Sequence, residues 1–363
     1  MSVLLYSLFF FFNLINSQAN LKGQLHFDSL NAPVSIEIDK FGVPLITYNP
    51  DLDLFFTIGF LHAQERFFQM DLLRRTASGE LSKLFSFLST DHDKAVKKFG
   101  LKERALETFN SLPESQKKLL VSYSKGVNEG LASLRAWPFE YSLLLARPEA
   151  WEPQDSILVA YGLGLELQDE NAEQDYAMDI LSKYYSAETV NFFVPQRTQW
   201  DAPLIEDVDP YQPLVLPENN RVTDLVDELD ISDRTVSGSN GWVLGGQHTA
   251  SGAGLLANDI HLPLSSPSTW YQVSYQQSEQ QAMVSGITLP GLPYVISGSN
   301  GDVAWGVTNS FGKWSQQIML PYDVTNHCVN TGESCEAVTE QTLPIDVRFA
   351  RDEEITVRRI KHG

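Results

Sequence analysis

SGSNGWVLGGQHTASGAGLLANDIH, residues 237–261, marks the place where the chain changes character. Just before it, residues 204–238 carry nine acidic residues against two arginines, three prolines and no sustained apolar face. That texture predicts an exposed connecting segment, and a loop of such length is unusual in a compact region unless it is a linker or has a function. After it the chain is β-rich: 242–244, 255–257, 270–275, 283–287 and 303–308 are short apolar runs broken by Gly, Pro, Ser and Asn, as strands are. The pentapeptide Ser-Gly-Ser-Asn-Gly occurs at 237–241 and again at 297–301. In the second copy Asn300-Gly301 lies between two apolar runs and predicts a two-residue hairpin turn. The first copy lies where the chain could be cut without breaking a core.

Upstream the pattern is helical. Val34, Ile36 and Ile38 alternate with polar residues, Asp39 to Gly42 supply turn chemistry, and an apolar run from Val43 to Thr47 completes a predicted β-hairpin. From Asp53, the residues Phe56, Phe60, Ala63, Phe67 and Met70 recur at spacings of four and three, which predicts a helix with one buried face. Ser111-Leu-Pro-Glu114 reads as a capping box with proline in the first turn. It opens a second helix carrying Leu120, Tyr123, Val127, Leu131 and Leu134. Helices first and strands later predict an α+β architecture.

The 363 residues include 46 acidic against 26 basic side chains, a formal charge of -20, which disfavours a nucleic-acid partner because phosphate binding needs clustered Lys and Arg. Residues 2–16 form a short apolar run, and Ser17-Gln18-Ala19 has the small-x-small form of a signal peptidase site. Residues 1–19 therefore read as a signal peptide despite the lack of a basic residue in the n-region, a buried or anchoring first helix being the alternative. No later segment approaches the roughly 20 apolar residues that span a bilayer, so stable membrane association is not expected. The two cysteines, Cys328 and Cys335, flank a turn-rich loop that would bring them within disulfide reach in an oxidising compartment. Two free thiols are the alternative.

A family resemblance joins these pieces. Ser239-Asn-Gly-Trp-Val, Thr249-Ala-Ser-Gly and Leu255-Leu-Ala-Asn-Asp-Ile-His261-Leu resemble the start of the catalytic chain of penicillin acylase family enzymes, which are N-terminal nucleophile hydrolases. Pro290-Gly-Leu-Pro293, Gly298-Ser-Asn300 and Ala304-Trp-Gly-Val-Thr-Asn309 follow in the family's order. Asp39-Lys-Phe-Gly-Val-Pro44, the block from Gly59 to Asp71, Arg74-Arg75 and Gly79-Glu80-Leu81 are similar to its small chain. The resemblance implies a four-layer αββα fold, a mainly helical small chain at 20–203, a spacer at 204–238 and a large chain starting at Ser239. The two chains would form a heterodimer from one precursor, in the periplasm.

It also implies a chemistry. A serine hydroxyl is a weak nucleophile without a base, and the base would be Ser239's own α-amino group, with a pKa of about 7.7–8.0 when free. In the precursor that nitrogen is a non-basic amide, so activity would wait for the Gly238–Ser239 bond to break. The substrate would be a small N-acyl amide, such as a β-lactam antibiotic side chain or an acyl-homoserine lactone, and no cofactor would be required. By resemblance the backbone N–H of Asn309 is an oxyanion donor, His261 steadies the nucleophile, and Leu262, Tyr271 and Ile296 line an acyl pocket, with core packing as the competing role for these three. Some relatives bind a structural Ca²⁺; Glu170 or Glu173 would serve it here, but the aspartates expected within 311–317 are absent. The family's second oxyanion asparagine and an arginine near the nucleophile are expected beyond residue 363, so the sequence reads as a truncated piece, and an inactive fragment or a non-catalytic binding scaffold is the alternative to an enzyme.

Overall fold

Asp39 folds the first hairpin as its sequence predicts. In the computed structural model, which describes residues 3–19, 22–168, 170–195, 198–200, 238–280, 282–309, 318–332 and 334–361, the Asp39 carboxylate accepts from the backbone N–H groups of Phe41 and Val43. Gly42 supplies the positive φ of 85° that other residues rarely adopt. The acidic segment read at 204–238 lies outside the described residues up to 237. No described helix is long and apolar enough to cross a membrane.

A helix α1 (Val3–Asn16) precedes the hairpin strands β1 (Ser35–Ile38) and β2 (Pro44–Tyr48). Helix α2 (Asp51–Ser78) follows, then the short α3 (Ser82–Phe85), α4 (Thr90–Lys97), α5 (Leu101–Ser111), α6 (Glu114–Ala132), α7 (Phe139–Leu143) and α8 (Pro153–Gln168). The anticipated face of α2 is buried, with Phe56, Ala63, Phe67 and Met70 at 0–1% exposure, but so are Ile58, Leu61, His62, Asp71 and Arg75 on its other sides. Burial all round makes α2 an interior helix. Several of its buried polar groups pair with one another: Asp71 accepts from Arg74, Arg75 and the Tyr141 hydroxyl, and Arg74 also reaches Asp155. The capping box expected at Ser111 does not form. Ser111 is the last residue of α5 and its hydroxyl donates to the Thr108 carbonyl, while Pro113 takes the N-cap position of α6.

Helices α2 and α6 approach closely because glycines remove the side chains between them. A Cβ at Gly126 would collide with the Phe56 carbonyl, one at Gly130 with that of Phe60, and one at Gly59 with that of Tyr123. This contact brings Tyr123 onto His62 and starts a directed relay. The Gly291 N–H donates to the Tyr123 hydroxyl, which lies 2.9 Å from His62 Nδ1; Nε2 lies 2.9 Å from Thr288 Oγ1, which donates to the Tyr271 carbonyl. With the Thr288 proton given to the Tyr271 carbonyl, Oγ1 accepts from an N–H on Nε2, and Nδ1 accepts the Tyr123 proton. Burial, with Arg66 nearby, lowers the His62 pKa to about 3.

Among the described residues the strands form four sheets. The largest orders its strands as β1, β2, β5 (Tyr271–Gln277), β6 (Met283–Thr288), β7 (Val295–Ser299) and β8 (Ala304–Trp305). Two strands outside it precede β5 in the chain, β3 (Gly238–Leu244) and β4 (Leu255–His261), an antiparallel ribbon of their own. Strand β5 pairs in parallel with β2, Leu45 opposite Ser274, so chain from both sides of 201–237 shares one sheet. Between β7 and β8 the turn is a four-residue loop, 300–303, instead of the two-residue turn expected. Asn300 Oδ1 accepts from the N–H groups of Asp302 and Val303, which stretches the loop beyond Asn300-Gly301. A three-stranded sheet, β9 (Tyr322–Asp323), β10 (Cys328–Asn330) and β11 (Cys335–Ala337), and a hairpin of β12 (Thr339–Ile345) with β13 (Glu353–Arg359) complete the described strands. Cys328 and Cys335 are joined as a disulfide, their Cα atoms 5.4 Å apart.

Two compact units result. One comprises Met1–Glu166, Gly238–Asn309 and Pro321–Gly363, and contains the core around α2, α6 and β5. The other comprises Leu167–Ser237 and Ser310–Leu320; its described elements include α9 (Glu170–Tyr184) and α10 (Ala187–Phe193), the latter capped by Ser186. Helices and sheets are thus mixed, an α+β arrangement.

Gly126→Ala is expected to destabilise the protein by about 1–3 kcal/mol, read as a lower urea midpoint; an unchanged midpoint would contradict the close helix contact. For His62 the folded pKa lies below the ordinary 6.5, so the unfolded state binds the proton more readily. The stabilisation is complete above about pH 6.5 and is lost as the pH falls towards 3, on the order of 5 kcal/mol in all. Urea midpoints of wild type and His62→Gln should converge as the pH is lowered from 7 to 4; parallel curves would refute a neutral, sealed imidazole.

Candidate active site

Ser239 lies inside a strand, not in a loop before one. The sequence suggested a strand from Trp242, but pairing begins at Gly238 opposite His261 and continues with Ser239 opposite Ile260. Gly238 and Gly241 both take part in the pairing, so the ladder runs unbroken from Gly238 to Leu244. Gly238 is not in the left-handed region. Ser239 is half-buried, and its hydroxyl donates to the carbonyl oxygen of Gly238 at 2.6 Å.

His261 stands beside that peptide bond. A Cβ added to Gly238 would lie 3.5 Å from His261 Nδ1, so the ring covers the glycine. Its other nitrogen, Nε2, is 2.9 Å from Asp259 Oδ2, a partner two residues back on the same face of the strand. Both side chains are substantially solvent-exposed.

Asn258, between these residues and the rest of the ribbon, uses its whole amide. Nδ2 donates to the Asn240 carbonyl (3.1 Å) and the Val307 carbonyl (2.9 Å). Oδ1 accepts from the Val307 N–H (3.1 Å) and the Ser297 hydroxyl (3.1 Å). The segment carrying Asn309 therefore runs along β3 and β4, and Thr308 Cγ2 would be 3.5 Å from a Cβ on Gly241. Asn309 itself is half-buried.

The remaining expected residues are dispersed. Leu262 follows β4 and Ile296 lies on β7, both half-buried. Tyr271 opens β5 at 5% exposure, its ring 5.0 Å from that of His62 and its hydroxyl donating to Glu65. Burial raises the pKa of Glu65, its bond to Tyr271 and the charge of Arg66 opposing this. Tyr271 is thus held within the core. Glu170 and Glu173 belong to α9, but their side chains lie outside the described residues; among the described residues no group of three or more His, Cys, Asp or Glu could hold a metal. Sequence reasoning assigned nothing to Asn258 or Asp259. One signal was available: Asn and Asp are depleted from strands, yet both stand in the middle of a strand-like run.

Comparison with known proteins places the chain in a family. The sequence profile of the penicillin amidase family matches residues 33–363. The acyl-homoserine lactone acylase QuiP of Pseudomonas syringae pv. syringae is 31% identical over 308 residues, 83% of this chain and 36% of its own. The penicillin acylase 2 proenzyme of Pseudomonas sp. (strain SE83) is 30% identical over 355 residues, 94% of this chain and 45% of its own. The chain thus spans between about a third and a half of the length of these relatives. A solved thermostable penicillin G acylase from Alcaligenes faecalis aligns with 50% of this chain and 98% of its own at 20% identity and a TM-score of 0.40, a superposition too loose to weigh on the fold. With a family match over nine-tenths of its length, the chain belongs to the penicillin amidase family.

Proposed function

We propose that this chain carries the nucleophile and the processing site of an amide hydrolase that removes an acyl group from an amine. The observation that supports the reading most directly is the Ser239 hydroxyl held 2.6 Å from the oxygen of the Gly238 carbonyl, the group it would attack. In self-cleavage Ser239 Oγ would bond to the Gly238 carbonyl carbon as the carbon–nitrogen bond breaks, and water would release the resulting ester. The products are a Gly238 carboxylate and a free Ser239 amine.

That amine then serves as base. It takes the hydroxyl proton as Oγ attacks the substrate amide, and returns it to the leaving amine; water hydrolyses the acyl-Ser239 ester by the same route. The Asn309 N–H stabilises the tetrahedral oxyanion, and His261, braced by Asp259, steadies the nucleophile. Half-buried Leu262 and Ile296 are the candidates for the acyl side of the pocket, whereas Tyr271 takes the core-packing role. Because relatives are named for acyl-homoserine lactones and penicillins, N-acyl amides of both kinds are the substrates to try. The reading needs no catalytic cofactor, and a structural Ca²⁺ through Glu170 or Glu173 remains a minor element of it. It includes export to the periplasm through residues 1–19, two chains held as a heterodimer and the four-layer αββα fold.

In the full-length precursor, wild type is expected to yield two chains, the larger beginning at Ser239, whereas Ser239→Ala remains one chain; an uncut wild type would defeat the enzyme reading and favour a binding scaffold. Activity should rise with pH through a pKa near 7.7–8.0, as the α-amine loses its proton. Selective carbamylation of that amine should abolish hydrolysis with the hydroxyl untouched, and retained activity would point to a separate base.

A further inference from the structure

The amide of Asn258 has four hydrogen-bonding partners on three separate segments, two for its N–H donors and two for its carbonyl oxygen, the Ser297 proton being shared with the Trp305 carbonyl. The chemistry of those partners fixes its orientation, since the Val307 N–H can only donate and the carbonyls of Asn240 and Val307 can only accept. One partner is the residue after Ser239. Another is two residues before Asn309. The third, Ser297, opens the second copy of the pentapeptide, so the repeated motif is joined to the first copy through this one side chain.

The surroundings are shaped around it. A Cβ at Gly306 would stand 2.6 Å from Asn258 Oδ1 and 2.8 Å from its Cβ and Cγ, so only glycine lets the chain lie flat on the amide. The ribbon has few other constraints: Trp242, Val243 and Leu255 are 54%, 71% and 47% exposed, and a two-stranded ribbon alone is marginal.

We infer that Asn258 is a positioning residue that fixes the strand bearing Ser239 against the segment bearing Asn309, so that nucleophile and oxyanion donor keep one spacing. This rests on the roles proposed above for Ser239 and Asn309. A displacement of about 1 Å can cost on the order of 100-fold in rate, which a clamp of this kind prevents. Asp at 258 would keep the size and the acceptor but turn an oxygen towards two carbonyl oxygens. Ala at 306 would push the amide out sterically, with no polar group of the clamp altered.

The test uses the full-length precursor and phenylmethanesulfonyl fluoride, whose sulfonyl oxygens need the same donor as an acyl oxyanion. Labelling of Ser239 is followed by mass spectrometry and normalised to the number of free Ser239 amines. Asn258→Asp and Gly306→Ala are both expected to slow labelling roughly 10- to 100-fold per processed molecule, with melting temperatures near that of wild type. Labelling at the wild-type rate per processed molecule in both variants, whatever their yield or stability, would overturn the proposal and leave the reading of Ser239 intact. A wild type with no free Ser239 amine would overturn both.

Discussion

A neutral imidazole sealed between two hydroxyls organises this molecule. A buried polar group is tolerated only when its hydrogen bonds are made, and those of His62 are supplied by Tyr123 on α6 and Thr288 on β6. The relay extends to Gly291 and to the Tyr271 carbonyl, so one ring holds two helices, two strands and a loop in register. Its reach depends on the glycines that bring α6 onto α2; larger residues there would lift Tyr123 away. The parallel pairing of β2 with β5 then extends the same union through the sheet.

The candidate site is attached to this core by a different kind of force. Strands β5, β6 and β7 are anchored by apolar packing around Tyr271, Val273 and Leu289. The ribbon of β3 and β4 instead shows much of its apolar surface, and the described bonds that tether it run through Asn258 to β7 and to Val307. Apolar contact is non-directional, whereas an amide with four hydrogen-bonding partners sets both distance and angle. A site whose reacting atoms must meet in one geometry gains more from the second.

Local pattern made much of the scaffold legible. Turn chemistry at Asp39–Gly42, the spacing of Phe56 to Met70 and the strand runs at 270–275 and 283–287 each reappear as the expected element. The failures share a cause, which is that neighbours distant in sequence decide the outcome. The spacing in α2 revealed one face because its polar residues look solvated until Asp71, Arg74, Tyr141 and Asp155 are seen to satisfy one another. Ser111 has the form of a cap, yet α5 extends to claim it. For the candidate site, resemblance named Ser239, His261 and Asn309, while Asn258 passed unnoticed because its partners lie 18, 39 and 49 residues away. The β12–β13 hairpin was not anticipated either; its strands carry Glu and Arg at facing positions and little apolar alternation.

The parallel partnership of β2 and β5 carries a consequence for the order of events in the molecule's life. Strand β2 reaches its place beside β5 from upstream of 201–237, and β5 from downstream. The β1–β2 hairpin alone is too small to persist in water, and without Thr288 the imidazole of His62 would face a vacancy. If the chain is opened at Gly238–Ser239, the two pieces remain interleaved strand by strand, yet neither contains the instructions to rebuild that arrangement by itself. The cut would then be a one-way step: assembly belongs to the continuous chain, and the divided protein retains an architecture it could not easily form afresh.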